Sequence, residues 1–222
     1  MNIFDILGPV MVGPSSSHTA GAVRIGLICR RLLGERPKEA EILMYGSFAD
    51  TGEGHGTDRA LVAGLLGMQP DDMQIPESFW LAKEAGMKFS FGEADLKDAH
   101  PNSALLHVTG ESGRKLSVQA SSLGGGRIMV NKLDGIEVNC SCEMPTLIVN
   151  NLDQPGPVYE AASLLAQKSV NIANMSLYRD RRGGQAVIVI ETDQQITEEA
   201  IRHLEQLEGI LKVTYISDGR QA

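Results

Sequence analysis

The chain has 222 residues, 42% of them hydrophobic, three cysteines and a formal net charge of −8. That length and apolar content suffice for two compact cores, while the acidic balance offers no basic face to a nucleic-acid backbone. The opening MNIFDILGPVMVG carries no basic stretch ahead of a long apolar run, and no later run approaches the ~20 residues of a membrane span, so a cytoplasmic protein is expected, with neither nucleic acid nor membrane as partner; an odd cysteine count in a chain of this size fits a reducing compartment and predicts no disulfide.

In chain order, residues 19–34 read as a helix, because Ile25, Ile28, Cys29 and Leu32 form one apolar stripe. Arg30 and Arg31 followed by Gly34 suit its C-terminal end. A short apolar strand at 41–48, a glycine loop at 50–56 and an apolar helix at 57–67 come next. Residues 88–91, 104–108, 116–120 and 127–130 are short β-type runs separated by turn signals such as Glu111-Ser112-Gly113, which predicts antiparallel sheet. After Lys132-Leu133-Asp134-Gly135 the pattern becomes strand 146–150, helix 157–167, strands 170–178 and 186–191, helix 197–208 and strand 210–216. Thr197 is the expected N-cap of the last helix, with Ile196 stapled onto Ile201. The order is β, α, β, β, α, β, a ferredoxin-like module. The fold class is therefore α+β, with a mixed α+β domain over residues 1–138, a boundary near 135–145 and the module over 145–222.

Four polar loops stand out. Gly13-Pro14-Ser15-Ser16-Ser17-His18-Thr19 runs into the first helix, and capping uses only one of those hydroxyls, so a carboxylate or phosphate at the positive end of the helix dipole accounts for the excess. Gly52-Glu53-Gly54-His55-Gly56-Thr57-Asp58 sets a histidine among glycines ahead of the next helix; His55 reads equally as a surface histidine or, with a pKa naturally near neutrality, as a general base. His100-Pro101-Asn102-Ser103 reads as turn chemistry or as a further polar contact, and Ser122-Leu123-Gly124-Gly125-Gly126 as a bulge or an anion-binding loop. His107 and His203 read as structural or exposed. Cys140-Ser141-Cys142 lacks a second cysteine pair, so no metal site is expected from this chain alone.

Taken together, Gly-Pro-Ser-Ser-Ser-His-Thr, Tyr45-Gly46-Ser47, Gly54-His55-Gly56-Thr57-Asp58, His100-Pro101-Asn102 and Ser122-Leu123-Gly124-Gly125-Gly126 resemble the iron–sulfur-dependent L-serine dehydratases, in the form of their separate β chain. Residues 146–216 resemble an ACT domain, so the likeness covers essentially the whole chain. The resemblance implies a lyase of amino-acid catabolism, a serine deaminase giving pyruvate and ammonia, as a heterodimer whose [4Fe-4S] cluster is carried by cysteines of a partner α chain. It implies His55 and His100 as catalytic histidines, with His55 as the base for the α-proton. Ser15, Ser16, Ser17, His18 and Thr19 would anchor the substrate carboxylate, with Asn102, Ser122, Gly124 and Gly125 close by. Some single-chain relatives have two adjacent histidines where this chain has His55-Gly56. ACT domains further imply self-association and an effector, L-serine itself, near Asp153, Gly156 and Asn171. The N-terminal domain also resembles an allosteric substrate-binding domain of some phosphoglycerate dehydrogenases, which leaves the alternative of a purely regulatory amino-acid or anion-binding subunit without catalytic residues.

Overall fold

The computed structural model describes residues 10–217. The chain divides into two compact units at the Asp134–Gly135 bond.

The first element described in the first unit is a π-helical turn, Ser16–Gly21, that feeds directly into helix α1, Ala22–Leu33. Ser16, Ser17 and His18 therefore wind within the helical rod, with Ser15 as its extended N-cap, whereas the sequence had placed them in a loop ahead of it. Helix α1 ends as its sequence requires: Gly34 takes φ 80° and returns its N–H to the Arg30 carbonyl. Strand β1, Pro37–Tyr45, starts earlier and stops sooner than its apolar content predicted, because alternating polar residues extend it at one end. Phe48 leaves the strand and is fully buried in helix α2, Ser47–His55. Residues 50–56 are thus largely helical, not a loop. Gly52 and Gly54 depress the helical propensity of this stretch, and packing of Phe48 overrides it. Gly56, at φ 68°, turns the chain into helix α3, Thr57–Leu66, and helix α4, Ser78–Glu84, follows.

Strands β2 (Lys88–Glu93), β3 (Ser103–Gly110), β4 (Lys115–Gly124) and β5 (Arg127–Leu133) complete the unit, in the order β2-β1-β3-β4-β5. β1 and β2 pair in parallel, so the run at 88–91 departs from the antiparallel sheet expected of residues 88–130, because helices α2 to α4 form the crossover between the two strands. The remaining pairs are antiparallel. Ala40, Ile42, Leu106, Val108, Val118 and Ala120 are buried, while Glu39, Glu41 and His107 stand exposed. Helices α1 and α3 cross so closely that a Cβ on Gly64 would lie 2.0 Å from the Val23 carbonyl oxygen and one on Gly26 2.2 Å from that of Leu61.

The second unit begins with strand β6, Ile136–Cys140, which the sequence reading did not anticipate. Then come β7 (Thr146–Leu152), α5 (Pro157–Gln167), β8 (Ile172–Arg179), β9 (Gln185–Thr192), α6 (Glu198–Glu205) and β10 (Ile210–Ile216). The sheet order β10-β7-β9-β8, antiparallel throughout, is the split βαβ arrangement expected. Alternating residues of β7 and β9 (Leu147, Val149, Ile188, Ile190) meet Leu164, Leu165 and Leu204 of the two helices in one core. Burial of each such side chain contributes about 2 kcal/mol. Thr197 caps α6, accepting from the Ala200 N–H, and Ile196 is buried beside it.

Candidate functional site

Helix α2 brings three groups to His18. Its Nε2 lies 3.1 Å from the Ser47 hydroxyl, 3.1 Å from the Thr51 hydroxyl and 3.4 Å from the Ser47 carbonyl. Thr51 Oγ1 donates to the Ser47 carbonyl at 2.8 Å. Its one hydrogen is thereby used, so its oxygen accepts from His18, which places the imidazole proton on Nε2 and leaves Nδ1 as the lone pair. That nitrogen faces Ser15 Oγ at 3.4 Å, while the same Oγ accepts from the His18 backbone N–H at 3.1 Å. His18 is buried, its ring against Phe48 at 5.3 Å and against His55 at 4.9 Å between centroids. Burial holds its pKa below the ordinary histidine value; the Ser47 carbonyl works in the opposite direction, and the His55 ring adds to the lowering. His18 is therefore a neutral, oriented imidazole. His55, at the C-terminal end of α2, remains exposed.

The π-helical turn also carries the glycine-rich loop. Gly125 donates its N–H to Ser16 Oγ at 3.3 Å, and Arg24 fixes the far side of the loop by donating to the Gly126 carbonyl at 3.0 Å. A Cβ on Gly124 would lie in ordinary contact with Ser17 Oγ, at 3.6 Å, whereas one on Gly21 would lie 2.0 Å from Ser122 Oγ, so glycine is required at position 21. The His100 turn joins from the next strand: Asn102 donates its N–H to His100 Nδ1 at 3.1 Å and accepts from the Ser122 N–H at 2.8 Å. A Cβ on Gly46 would meet the Pro101 carbonyl at 2.7 Å, which sets this turn beside Ser47. Ser15 to Thr19, Ser47, Thr51, His55, Asn102 and the Ser122 loop are thus assembled around one turn of helix; His100 is anchored to the same assembly through its neighbours and is itself exposed.

Thr19 Oγ1, Thr57 Oγ1 and Ser122 Oγ are buried there without a hydrogen-bond partner among the described residues. Unmet hydroxyls of this kind cost about 1–3 kcal/mol each. A hollow of about 480 Å³ beside α2 is lined by Met44, Asp50, Thr51, Gly54 and Phe91. A larger one of about 540 Å³, with Glu39, Glu41, Lys88 and His107 in its walls, lies on the outer face of the sheet and holds none of these groups. Sequence reasoning had quoted Ser47 without giving it a place and had missed Thr51. Their spacing of four residues puts both on one helical face, a signal invisible while the segment read as a loop.

In the second unit Asp153 accepts from the Gly183 N–H at 2.8 Å and from Arg179 at 3.1 Å, and these partners hold its carboxyl below the usual range. Asn171 donates to Asp193 at 2.6 Å. Asp153 follows the Leu152↔Gln185 pair and Asn171 precedes the Ile172↔Thr192 pair, so they stand at opposite ends of the sheet. Gly156, at φ 118°, starts α5 near Asp153. His203 is exposed on α6.

This chain is 40% identical to the probable L-serine dehydratase, beta chain, of Bacillus subtilis, over 217 residues that make up 98% of each protein. It belongs to the serine dehydratase β-chain family. The family's model matches residues 2–85 and the ACT domain model residues 146–209. The L-serine dehydratase, beta chain, of Peptoniphilus asaccharolyticus is 38% identical over 88% of each chain. D-3-phosphoglycerate dehydrogenase of Archaeoglobus fulgidus is 25% identical over 88% of this chain and 37% of its own length. The site assembled on the π-helical turn falls largely within the family match, and the ACT match covers the split βαβ module. No helix among the described residues is long and apolar enough to cross a membrane.

Proposed function

We propose that this chain is the β subunit of an L-serine dehydratase, converting L-serine to pyruvate and ammonia together with an iron–sulfur α chain. The observation that carries this reading is the contact of His18 with His55 above a turn lined by hydroxyls and backbone N–H groups. Ser15, Ser16, Ser17 and Thr19, with Asn102, Ser122, Gly124 and Gly125, bind the substrate carboxylate; the hydroxyls of Thr19 and Ser122, without a partner among the described residues, are suited to an added acceptor. His18, neutral and held by Ser47 and Thr51, orients the substrate by hydrogen bonding and keeps a like charge away from His55. His55, exposed and unencumbered by the bonds that occupy His18, takes the α-proton. His100 completes the polar wall.

No set of three or more His, Cys, Asp or Glu side chains is arranged to hold a metal among the described residues. The side chains here do not form a cradle for a [4Fe-4S] cluster, and we assign the cluster to the α chain. The second unit serves self-association and effector binding: L-serine as effector contacts the Asp153–Gly156 loop of one copy and Asn171 of another, which accommodates their placement at opposite ends of a single sheet. Calorimetry of L-serine with the full chain, against Asp153→Asn, measures that contact.

The decisive experiment is anaerobic turnover of L-serine by the chain combined with its α partner. His55→Ala is expected to lower kcat by about 100-fold or more, and full activity of that variant removes His55 from the chemistry. An α chain equally active without this subunit leaves the β chain purely regulatory.

A further inference from the structure

Cys140 ends β6, and Cys142 lies two residues on, the spacing at which an extended chain projects side chains to the same face. Cys142 does not continue the strand. Its φ of 53° puts a non-glycine residue in the left-handed region, at a cost on the order of 1 kcal/mol, and the two sulfurs stand 2.9 Å apart. Cys140 is buried and Cys142 half-buried. The turn around them is tied down: Ser141 donates to Glu191 Oε1 at 3.3 Å and Thr146 donates to the Met144 carbonyl at 2.8 Å. The hydrogen bond from Cys142 lowers the pKa of the Cys140 thiol, against burial and the Glu191 carboxylate, which act to raise it.

Sulfurs this close suit bond formation better than chelation. Two thiolates on one tetrahedral zinc, each at about 2.3 Å, are separated by about 3.8 Å, and no third ligating side chain completes such a set among the described residues.

The geometry points to a dithiol site at which Cys140 and Cys142 close into an intrachain disulfide on meeting a low-molecular-weight disulfide of the glutathione type. Cys142, the more accessible sulfur, loses its proton to solvent and attacks the small disulfide; a mixed disulfide forms and one small thiolate leaves and is protonated. Cys140, as thiolate, then attacks the Cys142 sulfur, the mixed bond breaks, and the second small thiol departs. Two protein thiols are oxidised by two electrons, and one small disulfide is reduced to two thiols. The closed ring fixes the turn into Thr146, which pairs with Glu191 across β7 and β9.

The test uses the full chain treated with oxidised glutathione, blocked with N-ethylmaleimide and digested with trypsin. No Lys or Arg interrupts 133–168, so Cys140 and Cys142 share one peptide while Cys29 lies on another. Most of peptide 133–168 is expected to lose two hydrogens and take up no maleimide, and dithiothreitol should restore two maleimide additions. A peptide that keeps two reactive thiols, or that stops as a stable glutathione adduct, overturns the proposal. Cys142→Ser is expected to leave Cys140 without glutathione; glutathionylation of Cys140 in that variant as fast as the native ring closes overturns it equally. Should the variant fail to fold, the native-chain measurement decides alone.

Discussion

The two units bring their elements together by different means. In the first, backbone meets backbone where Gly26 and Gly64 let α1 and α3 touch and Gly46 admits Pro101, and Gly21 admits the Ser122 side chain. In the second, leucine, isoleucine and valine side chains interdigitate between sheet and helices, and Gly156 and Gly183 sit in turns with open space around the missing Cβ. Close backbone approach leaves amides, hydroxyls and imidazoles crowded together without bulky side chains between them, which is what a site for a small polar ligand needs. Side-chain packing instead gives a self-contained module whose sequence pattern is regular.

That contrast is exposed to measurement. Leu165→Ala, in the fully buried core of the second unit, is expected to destabilise the chain by about 3 kcal/mol in denaturant unfolding; a loss well under 1 kcal/mol would mean that this core collapses around the gap. Gly64→Ala drives a Cβ into the Val23 carbonyl and is expected to cost about 2 kcal/mol. A silent Gly64→Ala would break the idea that α1 and α3 depend on backbone contact. Thr197→Ala removes the cap of α6 and is expected to cost about 1 kcal/mol.

The smallest effect expected is a pH dependence from His18. Its folded pKa lies below the ordinary histidine value of 6.5, so as pH falls through that value the unfolded chain binds the proton first. Stability present above it is lost on acidification, down to the folded pKa. Unfolding midpoints followed from neutral to mildly acid pH should fall less steeply in His18→Asn than in the native chain; equal slopes would show that His18 titrates alike in both states.

Much of the second unit was legible because its helices and strands are amphipathic, bounded by turn residues and capped locally: Thr197 with Ile196, and Gly183 in the hairpin, specify their structure within a few residues. The motif loops of the first unit were legible as clusters of hydroxyls, glycines and histidines but not as conformation. Helix α2 contains two glycines and reads as a loop, yet Phe48 commits it to a helix by entering the core. With that helix came Ser47 and Thr51 on one face, and hence the orientation of His18.

Composition, periodicity and the polar loops determined by themselves an acidic two-unit chain, the βαββαβ order and which serines and histidines to watch, since these depend on neighbours in sequence. Tertiary structure alone decided the parallel pairing of β1 and β2, the π-helical course of Ser16 and Ser17, the contact of His18 with His55, and the separation of Asp153 from Asn171. Each of these depends on packing between segments tens of residues apart, where burial outweighs the local preference of the chain.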